Sequence, residues 1–403
     1  MAKRSDTQHY HRAIKPLYFL SRIVGLMPVS PFKTDDNVES CILKCLHVFW
    51  TLIWIATITT VVCLFAFSGV VFDEQDFSIT FIVISFYFWS TYLTCMINFL
   101  INIIFRNTFT EIISKFNTLD EVLIAKSDVE LYKKERRWLI TDIATILVTY
   151  AIIDTGVCWF FDVETVLEAV FCIFGNMPLF IITLVALQFK TWVKRINERL
   201  QIIKKILEKC IKSEQITLFK PIRKNKISNL LQDMDEVPNE GINNQSEEIQ
   251  QLELIYIDVY KLNLLVNSTY GMSIVCQIIT CYIVCVTALY WGINTLTAKE
   301  YQMKSVVFFG LCVYTLWLLA WILFNCHMAS AEAVKIIIFV QEKIRKHRFL
   351  EDVERALLNF VTLIKEMPIE FTACELLTLN LPFLCSTVGV ICSYIVILVQ
   401  IKT

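Results

Sequence analysis

Charge is scarce in this chain, and so are glycine and proline. Only 19% of the 403 residues are charged and 56% are hydrophobic, where soluble globular domains carry about 25% and about 45–50%. That shortage argues against a soluble globular protein. Nine glycines and eight prolines are too few for the many tight turns of a loop-rich β protein. A net charge of −1 leaves no basic footprint for nucleic acid, so no nucleic-acid partner is expected. The five histidines (His9, His11, His47, His327, His347) include no His-Glu-x-x-His, and no cysteine pair has zinc spacing. No metal, no cofactor and no enzymatic activity are therefore expected. The first forty residues lack an apolar core behind a basic start, so no cleaved signal peptide is expected and the first span serves as the insertion signal.

What the chain has in abundance is apolar length. A helix needs about 20 apolar residues to cross the hydrocarbon, and seven windows qualify: 45–67, 78–105, 138–161, 166–189, 268–296, 305–327 and 376–401. The fold class is all-α, an integral membrane protein of seven transmembrane helices. Most of the 15 cysteines sit inside these runs, among them Cys63, Cys95, Cys276, Cys281, Cys285, Cys312 and Cys392. They read as packing residues, and no disulfide framework is expected.

Lysine and arginine set the direction of insertion. Segments 1–44, 106–137, 190–267 and 329–375 hold 34 of the 37, while loops 68–77, 162–165 and 297–304 and the tail hold three, Lys299, Lys304 and Lys402. The N-terminus is therefore expected in the cytoplasm and the C-terminus outside. This is the reverse of a G-protein-coupled receptor. No acidic-Arg-Tyr triplet ends span three, and Asn380-Leu381-Pro382 lacks the spacing of Asn-Pro-x-x-Tyr. A secondary transporter would show repeated halves with broken helices, and no internal repeat is found.

The expected organisation follows. Residues 1–44 form a cytoplasmic N-terminal segment and 45–190 carry transmembrane helices one to four. Residues 191–267 are a cytoplasmic loop with helix extensions and a disordered middle (212–250), rich in Asn, Gln, Glu and Lys. Residues 268–328 carry helices five and six, 329–375 form a cytoplasmic helical anchor segment, and 376–403 hold helix seven with a short extracellular tail. Segments 192–211, 249–265, 331–344 and 353–364 are amphipathic; Trp192, Ile196, Leu200, Ile203 and Leu207 recur at three- and four-residue intervals. Such stripes bury against something. Mixed charge and loop length favour one bundle beneath the membrane over helices lying on lipid headgroups.

At 100° per residue, Ser386, Gly389, Ser393 and Gln400 of the last span fall within about 60° of one another. Asn380, Thr387 and Tyr394 form a second stripe roughly opposite. Polar stripes on membrane helices face water or another helix, and the sequence leaves open which stripe does which. The same region ends in Ser393-Tyr394, five hydrophobic residues and Gln400-Ile401. This resembles the C-terminal signature of insect gustatory receptors, Thr-Tyr, five hydrophobic residues, Gln-Phe, with serine for threonine and isoleucine for phenylalanine. Phe371-Thr372-Ala373-Cys374, Leu377-Thr378-Leu379, Ser330-Ala331-Glu332-Ala333 and the early Ile23-Val24-Gly25-Leu26-Met27-Pro28 are also similar to that family.

The resemblance implies a ligand-gated, non-selective cation channel, a homotetramer or a heteromer with other members, in the plasma membrane of gustatory neuron dendrites. It implies that each subunit gives its seventh helix to a central pore, with Gln400 and Ile401 at the extracellular gate; Ser386, Gly389 and Ser393 are the stripe's candidates for the lumen. The inner helix extensions pack into an anchor domain.

The expected partner is a small-molecule tastant, with membrane lipid around the spans. The topology gathers the outer halves of spans two to six, where Asp154, Trp159, Glu168, Asn176, Tyr290, Trp291, Asn294, Tyr314 and Trp317 supply aromatic walls and a few polar groups. Carboxylates within spans are functional candidates by default, so Asp154 and Glu168 lead. Each reads equally as a satisfied structural partner, Glu168 also as an interfacial residue, and Tyr290 and Trp291 equally as an aromatic belt. Two acids among aromatics favour a bitter or other non-sugar plant compound, such as an alkaloid amine, over a sugar.

Overall fold

The computed structural model describes residues 3–27, 37–67, 79–123, 129–160, 165–218, 240–297, 305–347 and 349–402. Pro28 and the expected outer loop 68–77 lie outside these residues, as does most of 162–165 and 297–304. The described chain is helical apart from one small hairpin. In order it runs α1 (Lys3–Ile23), α2 (Asn37–Phe67), α3 (Ile79–Ile104), α4 (Arg106–Leu123), α5 (Val129–Phe160), α6 (Val166–Leu218), α7 (Glu240–Thr297), α8 (Ser305–Lys346), α9 (Glu351–Glu366), β1 (Thr372–Ala373), β2 (Leu377–Thr378) and α10 (Leu381–Lys402). Six helices, α2, α3 and α5–α8, are long and apolar enough to cross a bilayer, and α10 adds the apolar run Leu381–Ile397.

The three longest helices outrun the membrane. α6 has 53 residues, α7 has 58 and α8 has 42, or about 80, 87 and 63 Å at 1.5 Å per residue, against a hydrocarbon core of about 30 Å. Their extensions meet at one end, called here the polar end. Trp192, Ile196, Leu200 and Leu207 of α6 are buried there with Tyr256, Val259 and Leu262 of α7, Ile336 and Val340 of α8, and Leu357, Phe360 and Ile364 of α9. Helix reaches Leu218 on one side of the expected disordered loop and starts at Glu240 on the other. Only the middle of that loop, 219–239, lies outside the described residues.

Two helices were not anticipated. α4 buries Phe109, Ile112, Ile113, Phe116, Leu119 and Leu123 at helical spacing. α1 buries Ala13, Ile14, Leu17 and Ser21 and is fastened to α2 at its C-terminus. There Gly25 takes φ +80°, and the indole N–H groups of Trp50 and Trp54 donate to the Ile23 carbonyl at 2.8 and 2.9 Å. These bonds satisfy a carbonyl that the helix end leaves open.

A buried ion network ties α4, α5 and α6 together at the polar end. Arg199, fully buried, donates two bonds to Asp120 (2.9 and 2.7 Å) and one to Glu135 (2.5 Å), while Arg195 donates to the other Glu135 oxygen at 2.7 Å. Glu198 lies within electrostatic reach of Glu135, and each of two neighbouring carboxylates disfavours the other's ionised form. Both glutamates lie beyond the apolar windows 138–161 and 166–189. Burial raises Glu198 to about 7, and neighbouring Glu135 adds to the rise. Burial also pushes Glu135 upward, but Arg195 and Arg199 outweigh it and hold that carboxyl down at about 2.

Candidate functional site

The last span begins later than its hydropathy suggests. Residues 376–380, expected in the helix, close the β1–β2 hairpin and lead into α10. The reason is local: the Asn380 side-chain oxygen accepts the backbone N–H of Phe383 at 3.0 Å, the bond of an N-cap, and Pro382 fits the first helical turn. Asn380 is thus a cap rather than part of a stripe along the helix.

Of that second stripe, Thr387 is fully buried and Tyr394 is 55% exposed. α10 packs against α7 and α8, burying Thr387 and Ile391. Ser386, Gly389, Ser393 and Gln400 are all exposed. The stripe of small polar residues therefore points away from the helix's own bundle. Ile401 lies within α10, with its side chain outside the described residues.

The hairpin before α10 is clamped to α7. Asn263 and Asn267 donate to the Glu370 carbonyl at 2.9 and 2.8 Å, and Tyr256 donates to Met367 O at 2.8 Å. At the turn Cys374 and Glu375 take φ of 53° and 59°, a left-handed conformation costly for residues with a Cβ. The turn presses on Gly271 of α7: a Cβ there would lie 2.8 Å from the Cys374 backbone nitrogen. Neither the hairpin nor this close approach was anticipated; the glycine inside an apolar run was the available signal.

A second set of residues converges inside the spans. The Asn176 amide of α6 donates to Asp154 of α5 at 3.1 Å, and the Tyr150 hydroxyl donates to the Asn176 carbonyl. Tyr150 stacks at a tilt on Phe180, with centroids 5.0 Å apart. Tyr87 of α3 and Tyr314 of α8 lie within electrostatic reach of Tyr150. Tyr314 is bonded to Thr183 at 2.8 Å and stacks on Trp317, which stacks on Trp321. Four helices thus bring one carboxylate, one amide and several phenols and indoles together, as an amphiphilic small molecule requires. Tyr87, Tyr150 and Thr183 were not anticipated; Tyr150 lies one turn before Asp154, a signal of shared face.

Trp159 is 50% exposed. Trp291 stacks on Phe308 between α7 and α8, centroids 5.6 Å apart. Tyr290 is buried and Asn294 half-buried near the end of α7. Glu168 falls in the first turn of α6, its side chain outside the described residues.

Comparison with known proteins adds the family. The model of the 7tm chemosensory receptors matches residues 14–403. No curated protein matches the chain. Among solved structures, the insect olfactory receptor OR5 from Machilis hrabei is similar with a TM-score of 0.60 and 15% identity, covering 98% of this chain and 100% of that one. The same receptor in complex with eugenol gives 0.59 and 13%, with the same coverage. At such identities the likeness establishes a shared fold.

Proposed function

From the premise that the chain belongs to the 7tm chemosensory receptor family, we propose that it is a gustatory receptor, a ligand-gated, non-selective cation channel opened by a bitter or other non-sugar plant compound. The observation that carries the ligand reading is the convergence of Asp154, Asn176, Tyr150 and Tyr314 inside the spans. A carboxylate walled by aromatic rings suits a protonated amine. A sugar would call for more hydrogen-bonding groups than this cluster offers. The relative's eugenol complex supports small-molecule recognition on this fold. The gustatory reading rests on the Ser393-Tyr394 to Gln400-Ile401 signature.

The channel reading is supported by α10. Its Ser386, Gly389 and Ser393 are exposed on the face turned from α7 and α8, where the helices of a homotetramer, or of a heteromer with related receptors, surround a water-filled path. Gln400 and Ile401 close that path at its outer mouth, with the N-terminus in the cytoplasm of a gustatory neuron. A ring of isoleucines can shut a pore by dewetting.

Expression in a cell with a calcium readout, against a panel of alkaloids and sugars, tests this reading. Alkaloid-evoked signals are expected to vanish when external cations are removed. Asp154→Asn is expected to weaken amine responses roughly 10–150-fold, the equivalent of a charge-assisted bond of about 1.5–3 kcal/mol. Signals that persist without external cations would sink the channel assignment. Responses confined to sugars would sink the ligand class.

A further inference from the structure

Just before its apolar window, α5 carries a crowded run of basic side chains. Lys133, Lys134, Arg136 and Arg137 are all exposed, and the window 138–161 begins at the next residue. α5 lies at the edge of the bundle, with Glu135, Leu139 and Ile146 turned inward and buried. At 100° per residue, Lys133 and Arg137 point most directly away from those three, and Lys134 and Trp138 lie to one side. The run rises only about 7.5 Å along the helix axis. α6 adds Lys194, whose ammonium sits 3.8 Å from the centroid of the Trp138 ring. Trp138 itself is 52% exposed, and an exposed indole at the end of an apolar window belongs at headgroup level.

These charges are not balanced within the chain. Among the described residues Lys133, Lys134, Arg136 and Arg137 make no ion pair. Elsewhere exposed cations are matched within one helical turn: Lys115 meets Glu111 at 2.7 Å, Lys335 meets Glu332 at 3.0 Å and Arg355 meets Glu351 at 2.9 Å. The acids near the α5 run are committed to other partners. Glu135 binds Arg195 and Arg199, Asp142 binds Lys190, and Glu198 lies 3.4 Å from Arg199. Glu130 is exposed but lies about one turn farther from the window. Like charges crowded on one helix face repel, and an anion at headgroup depth relieves that cost. A singly charged headgroup would answer one cation of the set. A headgroup with several phosphate groups answers most of it, and arginine can hold phosphate through two parallel bonds.

We propose that Lys133, Lys134, Arg136 and Arg137, with Lys194, form a docking surface for a membrane lipid with a multiply phosphorylated headgroup, of the phosphoinositide class. The acyl chains lie along Ile140, Leu147 and Val148, which are exposed farther up α5. Placing this lipid in the inner leaflet rests on the cytoplasmic position proposed for the polar end. Binding to the cluster does not, and it needs neither the gate nor the Asp154 cluster.

The test titrates full-length protein, purified in detergent, with a fluorescent phosphatidylinositol bisphosphate. Competitors are the unlabelled lipid, phosphatidylserine and soluble inositol trisphosphate. The unlabelled lipid is expected to compete at least about tenfold better than either of the others, a difference of about 1.4 kcal/mol. Arg137→Gln is expected to weaken binding about fivefold, the equivalent of about 1 kcal/mol for one cation near a membrane surface. Lys133→Gln/Lys134→Gln/Arg137→Gln is expected to weaken it about 100-fold by the same measure. Lys343→Gln/Arg345→Gln/Lys346→Gln removes the same charge at the far end of α8 and is expected to leave binding unchanged. Equal losses in the two triple variants overturn the proposal, because they show diffuse charge attraction. So does phosphatidylserine that competes as well as the bisphosphate, or soluble inositol trisphosphate that competes as well as the lipid. Because binding is read in detergent without current or tastant, it fails or holds separately from the cation-removal and Asp154→Asn tests.

Discussion

Replacing Arg199 by methionine is the sharpest test of what holds the polar end together. The guanidinium is fully buried and bonds to Asp120 and Glu135. With Glu198 protonated below about pH 7, the set Arg195, Arg199, Asp120 and Glu135 is balanced in charge. Arg199→Met leaves one buried carboxylate unpaired, and breaking one partner of a buried pair costs about 3–5 kcal/mol. Unfolding entropy of about 2.1 cal/mol/K per residue gives roughly 0.85 kcal/mol/K for a chain of this length, hence a fall of about 4–6 °C. Membrane helices that survive denaturation lower that entropy and enlarge the shift. The assay is fluorescence-detected size exclusion of the detergent-solubilised protein after heating. Arg199→Met/Asp120→Asn restores the charge balance and keeps an acceptor for the Tyr132 hydroxyl, which bonds Asp120 at 3.2 Å. The double variant is expected to regain most of the loss. A single variant as stable as wild type, or a double variant worse than the single, refutes the reasoning.

Gly271→Ala forces a methyl against the Cys374 backbone nitrogen and is expected to cost about 1–3 kcal/mol as overpacking; an unchanged melting profile would show that the hairpin yields freely. The raised Glu198 makes stability depend on pH with a definite sign. The folded protein holds a proton that the unfolded chain releases near 4.5, so stability is full below that pH and falls as pH rises through about 7. Glu198→Gln is expected to flatten melting temperature against pH between 5 and 8, and an identical slope in both proteins would remove Glu198 as the cause. Ile401→Ala is expected to raise ligand-independent current through a weakened gate, measured as basal conductance at matched surface expression; unchanged basal current counts against the gate.

The spans were legible because lipid demands long apolar helices with internally satisfied backbones, and that demand writes itself into hydropathy. The polar-end stripes were legible for a related reason: Trp192, Ile196, Leu200, Ile203 and Leu207 fall on one helical face, and all are buried. α4 carried the same signal in Phe109, Ile112, Phe116 and Leu119, but its mixed charge made it read as loop. The start of α10 was misplaced because hydropathy sees Leu376–Leu379 as continuous with the span. Capping chemistry at Asn380 decides otherwise, and that competition between composition and backbone geometry is resolved only by the N-cap bond.

The candidate sites divide along a similar line. Asp154, Asn176 and Tyr314 were singled out as polar or amphipathic groups in apolar runs, and three helices bring them together. Which neighbours complete the set depends on the rotation of each helix about its axis, set by packing contacts distant in sequence. Thus Tyr150 and Tyr87 enter the cluster, while Trp291 turns to Phe308 and Trp159 stays exposed. The same dependence on packing bears on orientation. Asn267-Ser268-Thr269 is a glycan acceptor sequence, yet the Asn267 amide donates to Glu370 O at 2.8 Å in mid-helix. A glycan on that nitrogen would displace the clamp between α7 and the hairpin. Mass spectrometry of Asn267 from a secretory-pathway host is therefore expected to find it bare, and a glycan there would overturn both the clamp and the proposed cytoplasmic placement of the polar end.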